Sequence, residues 1–261
     1  METENIITSA QNPKVKRLLA LQQKSSERRE AGLFVVEGRR ELERCLAGGF
    51  EVETVFCTPE VASVVPQGAY DRFLVSPKVY ERMAYRGSTE GVIAEVRTRQ
   101  LRLEDIALGS SPLLVVLESV EKPGNLGAIL RSADAAGATA VVVCDPLTDL
   151  YNPNVVRAST GAVFSMPMVA CTSEECIRFL KEHGIIILTA QLQDSELYYD
   201  TDMRGPTAIV MGTEATGLTQ QWRRAASAHI RIPMLGITDS LNVSVSAAIL
   251  LFEAVRQRGN R

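Results

Sequence analysis

The stretch Ile232-Pro-Met-Leu-Gly-Ile-Thr-Asp-Ser-Leu-Asn-Val-Ser-Val-Ser246 joins the end of a strand to the start of a helix in an unusual way. His229 to Ile232 reads as a short apolar strand, and Pro233 stops it because proline has no N–H for a sheet ladder. Asp239, Ser240 and Asn242 then supply short polar side chains where a helix must begin, and Ser240 reads as the N-cap. The helix expected from Leu241 to Arg258 opens on Ser244, Ser246, Ala247 and Ala248, small residues that permit close packing. Close packing and ligand binding are compatible here, since a helix amino end also favours a carboxylate or phosphate oxygen.

Upstream, the same strand-then-loop pattern recurs. Ala208 to Met211 is apolar and runs into Gly212-Thr-Glu-Ala-Thr-Gly217. The two glycines let the backbone turn sharply or lie against a flat ligand. Glu214 between them is a loop charge, a cap for the next helix, or a functional carboxylate, and the local sequence does not choose. Earlier still, Leu113 to Leu117 ends at Glu118-Ser-Val-Glu-Lys-Pro-Gly-Asn-Leu-Gly127, and a helix is expected from Asn125 to Ala136, stopped by Gly137. Open α/β sheets place ligands at such strand ends. The loop has neither the Gly-x-Gly-x-x-Gly of a dinucleotide site nor the Gly-Lys-Ser/Thr of a P-loop, which disfavours nicotinamide enzymes and nucleotide hydrolases. Asn125 and Arg131 fall near the helix amino end, with Arg131 expected in its second turn. That arginine serves a phosphate or stands as a surface charge; position alone leaves both open.

Further elements complete an alternation of strand and helix. Ala140 to Val143 is an unbroken apolar run, Thr172 and Glu175 form a capping-box pair ahead of a helix ending at Gly184, and Ile185 to Leu188 is again apolar. Such alternation predicts a parallel sheet with helices on both faces. The first hundred residues differ. Asn12-Pro13 opens a helix carrying Val15, Leu18 and Leu19; Leu42, Cys45 and Leu46 share a second helix ending at Gly48-Gly49; Val52 to Cys57 and Gly91 to Val96 are strands, with a helix from Ser76-Pro77 between them. A small α/β domain over 1–105, a linker over 106–112 and a larger α/β domain over 113–261 are therefore expected, the boundary falling in the charged and apolar mixture Arg97 to Pro112.

Composition limits the function classes. The 261 residues are 46% hydrophobic and 23% charged, with a formal net charge of -3, which argues against a protein that coats nucleic acid unspecifically. The distribution is less even: between Asn12 and Arg40 stand eight basic residues and three acidic ones. Such a stripe can neutralise phosphates, or form a solvated helix face. No apolar run approaches the length of a membrane span and the amino terminus does not resemble a signal peptide, so a cytoplasmic location is expected. Five cysteines, never spaced Cys-x-x-Cys, and two histidines predict neither a disulfide framework nor a metal site.

Taken together, Asn125 to Arg131, Ile209 to Leu218 and Ile232 to Ser246 resemble, in order and spacing, the three signature motifs of the SpoU (TrmH) branch of the SPOUT methyltransferases. The resemblance covers residues 113–261. It implies transfer of a methyl group from S-adenosylmethionine (AdoMet) to a ribose 2'-hydroxyl in RNA, a deep carboxy-terminal trefoil knot, and a homodimer whose active site is completed across the interface. It implies AdoMet contacts at Gly212, Ile232 and Leu241, with Met211, Thr213 and Met234 nearby. Asn125, Arg131, Glu214, Ser240 and Asn242 match the family's polar active-site positions, Arg131 acting as base or, since arginine holds its proton, as an orienter of phosphate and hydroxyl.

The first half is also similar to the amino-terminal substrate-binding domain of longer SpoU members, through Ile7 to Lys16, Phe34 to Arg39 and Gly91 to Val96. That likeness implies ribosomal rather than transfer RNA as substrate. It makes Lys14, Lys16, Arg17, Arg28, Arg29, Arg39 and Arg40 candidate RNA contacts, of the kind that add phosphate affinity more than base specificity. Phe34 and Tyr85 could stack on bases, core packing being the stronger reading for Phe34. Two other functions compete: an α/β enzyme holding a nucleotide in the first loop, distinguished by binding ATP or NAD, and a non-catalytic RNA-binding or assembly factor of the same fold, distinguished by cofactor-independent RNA binding.

Overall fold

A computed structural model describes residues 6–85, 90–213 and 216–259. The chain divides into two compact units, one formed by 1–99 with Tyr151–Val156, the other by 100–150 with 157–261.

In the first unit, α1 (Pro13–Gln23) begins where Asn12 caps it, the side chain accepting from Lys14 N at 2.9 Å, with Pro13 pre-set for the first turn. A helix absent from the sequence expectations, α2 (Ser25–Ala31), follows and ends on Gly32 in the left-handed conformation. Then come β1 (Leu33–Glu37), α3 (Arg39–Ala47), β2 (Val52–Cys57), β3 (Asp71–Leu74), α4 (Pro77–Met83) and β4 (Val92–Arg97). The four strands form one sheet in the order β1-β4-β2-β3, with β4 antiparallel to both its neighbours. Val15, Leu18 and Leu21 of α1 and Val79, Tyr80 and Met83 of α4 pack with Leu33, Val35, Phe56 and Ile93 of the sheet in one core. β1 and β3 escaped sequence reasoning: Leu33–Val36 is buried without alternation, and β3 is short and charged at its start.

The second unit carries β5 (Leu113–Glu118), α5 (Pro123–Ala135), β6 (Ala140–Cys144), α6 (Pro153–Ser159), α7 (Ala162–Ser165), β7 (Met168–Cys171), α8 (Ser173–Glu182), β8 (Ile186–Ala190), β9 (Glu196–Leu197), β10 (Thr207–Met211), α9 (Gln220–Ala225), β11 (Ala228–Arg231) and α10 (Val243–Arg258). The seven strands lie in the order β7-β6-β5-β10-β8-β11-β9, and every pairing is parallel. That parallel sheet confirms the expected α/β architecture. Leu114, Val116, Val142 and Val210 on one side of the sheet share a core with Phe179 and Leu180 of α8 and Trp222 of α9. α5 and α10 pack against each other and touch β6 and β10. Leu103 and Ile106 are buried in this second unit's core.

The chain starts in the sheet at β5, steps outward to β6 and β7, then returns to build β10, β8 and β11 on the other side. β5 and β10 are thus neighbours at the place where the strand order reverses. Their carboxyl ends diverge into loops on opposite sides of a crevice, the position at which open parallel sheets bind ligands.

Candidate active site

At that crevice Leu117, Val120, Met211 and Val243 supply apolar lining, and Glu118, Lys122, Asn125, Gly212 and Thr213 are among the other residues that line it. The cleft holds a volume of about 130 Å³. β5 turns out of the sheet at Ser119, one of few non-glycine residues with positive φ (52°), and Ser119 N donates to Cys144 O at 2.8 Å. From there Pro123 starts α5 two residues earlier than expected, as its fixed φ favours the first helical position.

The loop after β10 closes on itself. A Cβ on Gly212 would lie 2.3 Å from the carbonyl carbon of Gly217, so a side chain is excluded there by the loop's own backbone. Gly217 has φ +67°, its N–H donates to Thr213 O at 3.1 Å, and Thr216 N donates to Thr213 Oγ1 at 3.0 Å. The sharp-turn role expected of these glycines is therefore the one the geometry requires. Glu214 lies outside the described residues.

Glu118 is the residue that sequence reasoning missed. It is 4% exposed, and its carboxylate accepts from Thr219 N at 2.8 Å and from Thr219 Oγ1 at 2.7 Å. Thr219 is the N-cap residue of α9, so the buried charge at the end of β5 ties down the far end of the Gly212–Gly217 loop. Alongside, Trp222 Nε1 donates to Ser173 Oγ at 3.0 Å, and Ser173 Oγ donates to Asp145 Oδ2 at 2.6 Å. Charge-assisted bonds of this kind are roughly twice as strong as neutral ones, and they are stronger away from water. The only sequence signal was a carboxylate closing an otherwise apolar strand.

On the third side α10 begins at Val243. Its N-cap is Asn242, whose Oδ1 accepts from Ser244 N at 2.9 Å and from Ser244 Oγ at 2.6 Å. Ser240, expected to cap this helix, is exposed two residues before the cap; asparagine is as good an N-cap as serine, and the helix starts at the later of the two. Asn242 Nδ2 also donates to Asn125 Oδ1 at 3.2 Å, which joins the first and third motifs across 117 residues of sequence. Arg131 departs from expectation. It is the ninth residue of α5, in the third turn rather than the second, so the field of the helix amino end does not reach it. Its side chain is exposed and has no hydrogen bond or ion pair among the described residues. Met211, Gly212, Thr213 and Asn125 meet in the cleft, whereas Ile232 and Met234 lie half-buried beyond β11 and Leu241 is 37% exposed, outside the described lining.

Residues 112–252 match the model of the SpoU rRNA Methylase family. The chain belongs to the SpoU rRNA methylase family. Residues 12–94 of this SpoU chain match a second model, the MRM3-like substrate binding domain. The chain is 39% identical over 187 residues to the 23S rRNA (guanosine-2'-O-)-methyltransferase RlmB of Vibrio parahaemolyticus, covering 69% of this chain and 76% of that one. It is similar to a crystal structure of an RNA 2'-O ribose methyltransferase, with TM-score 0.84, 41% identity, and 97% and 99% of the two chains covered. It is likewise similar to the AdoMet-bound rRNA methyltransferase of Sinorhizobium meliloti, with TM-score 0.88, 33% identity and 97% of each chain covered.

In the SpoU chain's first unit the candidate RNA contacts separate into two groups. Lys14, Lys16, Arg29, Arg39 and Arg40 are exposed; the Lys14 ammonium sits over the Phe73 ring at 4.3 Å, and Arg39 lies 3.5 Å from Glu43. Arg17 is paired with Glu53 and, at 3.2 Å, with Glu95. Arg28 is a correction: it is 3% exposed, and Nη1 donates to the carbonyls of Leu21 and Gln22, so it joins α1 to α2 instead of facing solvent. Phe34 is fully buried and stacks on Tyr151 at 4.5 Å, which makes it core; Tyr85 is 47% exposed.

Proposed function

We propose that this protein is an AdoMet-dependent methyltransferase acting on a ribose 2'-hydroxyl of ribosomal RNA, with large-subunit guanosine, named in the RlmB relatives, as the first substrate to test. The observation that carries the proposal is the meeting of Asn125, the Gly212–Gly217 loop and Asn242 at the β5/β10 switch point, in a SpoU chain that shares its fold with an AdoMet-bound relative.

The cleft suits the cofactor. Apolar side chains flank it and a few polar groups line it, a surface fit for a flat adenosine with few but oriented hydrogen bonds. Met211, Gly212 and Thr213 would hold it, with Ile232, Met234 and Leu241 from the third motif closing on it. When bound, AdoMet supplies an electrophilic sulfonium methyl. The protein's own residues then have three tasks. Asn125 and Asn242, locked together, present amide groups of fixed orientation at the rim. Arg131, exposed and carrying its five donors, orients the target phosphate and hydroxyl and leaves proton removal to another acceptor, because a guanidinium does not give up its proton. Glu214 and Ser240 complete the polar set. Lys14, Lys16, Arg29, Arg39 and Arg40 draw the RNA backbone to the first unit, which acts as the substrate-binding domain.

A homodimer belongs to the same proposal. Besides its buried face, with Leu250, Leu251 and Ala254, α10 carries a second apolar stripe: Val245 is 47% and Phe252 49% exposed, with Ile249 between them at helical spacing. An exposed apolar stripe of this kind marks an interaction surface. The trefoil knot, too, comes to this chain as part of the family likeness. Light scattering should give twice 28.5 kDa, and Phe252→Asp should return it to one chain with loss of methyl transfer.

The deciding experiment is transfer of labelled methyl groups from AdoMet to ribosomal and transfer RNA, and to assembled ribosomal subunits, from cells lacking this gene. Label in large-subunit RNA that disappears with Arg131→Ala supports the proposal. Label in transfer RNA alone, or none in any substrate despite measured AdoMet binding, overturns it.

A further inference from the structure

Outside the residues that line the cleft, three of the chain's five cysteines converge. Cys144 ends β6, Cys171 ends β7, and the two are register partners on neighbouring strands. Cys176 stands in the first turn of α8, above the same sheet end. The three sulfurs lie within 4.8 Å of one another, and Cys144 Sγ is 4.0 Å from Cys171 Sγ. Cys144 and Cys176 are buried while Cys171 is partly exposed, which leaves one side of the triangle open to solvent.

We propose that Cys144, Cys171 and Cys176 form a binding site for a thiophilic d10 cation, Zn2+ in the first place. Three arguments support this. The spacing fits: zinc–thiolate bonds of about 2.3 Å in tetrahedral geometry put sulfurs about 3.8 Å apart, so the triangle needs to contract by less than about 1 Å. The support is rigid, since two sulfurs come from paired strands and the third from a helix fixed by the Thr172–Glu175 capping box, with Thr172 N donating to Glu175 Oε2 at 2.8 Å. The donor set is selective, because soft thiolates prefer zinc or copper(I) to magnesium or calcium.

Electrostatics point the same way. The carboxylates of Glu175 and Asp145 interact electrostatically with Cys171, which favours a cation at this place. Binding releases the thiol protons to the buffer, and water entering beside Cys171 fills the fourth position. Apparent affinity should therefore rise with pH. At 4.0 Å the Cys144 and Cys171 sulfurs are about twice the length of a disulfide bond apart, and a disulfide between them would leave Cys176 unused. The alternative is that three small polarisable side chains simply fill the core.

The test uses the full-length protein stripped of metal by a chelator and titrated with Co2+, then back-titrated with Zn2+. The expected result is one equivalent of Co2+ with thiolate charge-transfer absorption and intense tetrahedral visible bands, displaced by Zn2+, and a melting temperature that rises with Zn2+. Cys171→Ser, at the partly exposed corner where packing is least disturbed, should weaken Co2+ binding by at least about 100-fold, as should Cys176→Ala if it folds. Cys45→Ala should leave it unchanged. Absence of charge-transfer absorption in the wild type, or the same titration in Cys171→Ser, overturns the proposal and leaves the cluster as core packing only.

Discussion

The sheet of the first unit and the cleft side of the second treat charge in opposite ways. In the first, arginine and glutamate neutralise one another on the sheet: Arg17 meets Glu53 and Glu95, and Arg97 meets Glu51 at 3.0 Å and Glu53 at 2.8 Å. In the second, Glu118 is buried and committed, while Arg131 stands exposed without a partner among the described residues. A charge that is already paired adds little to binding a polyanion, and an unpaired one near a cleft is available to a substrate. The difference separates residues that hold the fold from residues free to act on RNA.

The sharpest way to break this comparison is at Arg131. Arg131→Ala is expected to lower single-turnover methyl transfer by at least about 100-fold, the scale of losing one oriented transition-state donor, with AdoMet affinity within a few-fold of wild type. Arg131→Lys should recover little, because a point charge cannot replace a bidentate fork. An equal fall in AdoMet affinity would instead place Arg131 among the structural charges.

Next comes Glu118. Glu118→Ala leaves Thr219 N–H and its hydroxyl without their buried acceptor, and denaturant unfolding should show a loss of about 2–4 kcal/mol together with a raised KM for AdoMet. Glu118→Gln should recover part of both. A stability loss with unchanged KM would mean that the α9 tether does not reach the cleft.

Within the first unit Glu95 has a smaller, pH-dependent effect. It is 2% exposed with a buried Oε1 that has no hydrogen-bond partner, and burial pushes its carboxyl up to about 7 against the pull of Arg17. The native state then holds this proton more tightly than the unfolded chain. Its contribution is fully present below the unfolded value near 4.5 and is lost as pH rises towards 7. Glu95→Gln should flatten that slope and raise stability at pH 8 by about 1–3 kcal/mol, as read from urea unfolding at several pH values. A slope unchanged by the substitution would locate the titration elsewhere. Smallest is Asn12→Ala, which removes the α1 cap and should cost about 1 kcal/mol without altering methyl transfer by isolated second-unit chemistry, measured as unchanged kcat at saturating RNA.

Legibility of the sequence followed the range of the physics involved. Elements governed by local rules were visible: the Asn12 cap, the Thr172–Glu175 capping box and the apolar runs of β5, β6 and β10 all lie within a residue or two of expectation. β1, β3, β7, β9, α2, α6 and α7 were not, because their lengths and burial are set by neighbours rather than by periodicity. The candidate site divides the same way. Asn125, Gly212 and Asn242 were readable from motifs, but Glu118 looked like any strand terminus, Arg28 looked like any surface arginine, and Ser240 yielded the cap to Asn242. Among the described residues no helix is long and apolar enough to cross a membrane.

The sequence by itself determined the class of fold and the family, since apolar periodicity, capping and three spaced motifs are properties of neighbouring residues. Tertiary structure alone decided which side chains meet. Glu118 reaches Thr219 across 101 positions, Asn125 reaches Asn242 across 117, and Cys144 meets Cys171 although no short spacing announces them. Parallel strands brought together by long crossovers place distant residues at one sheet end, and no local rule encodes that proximity.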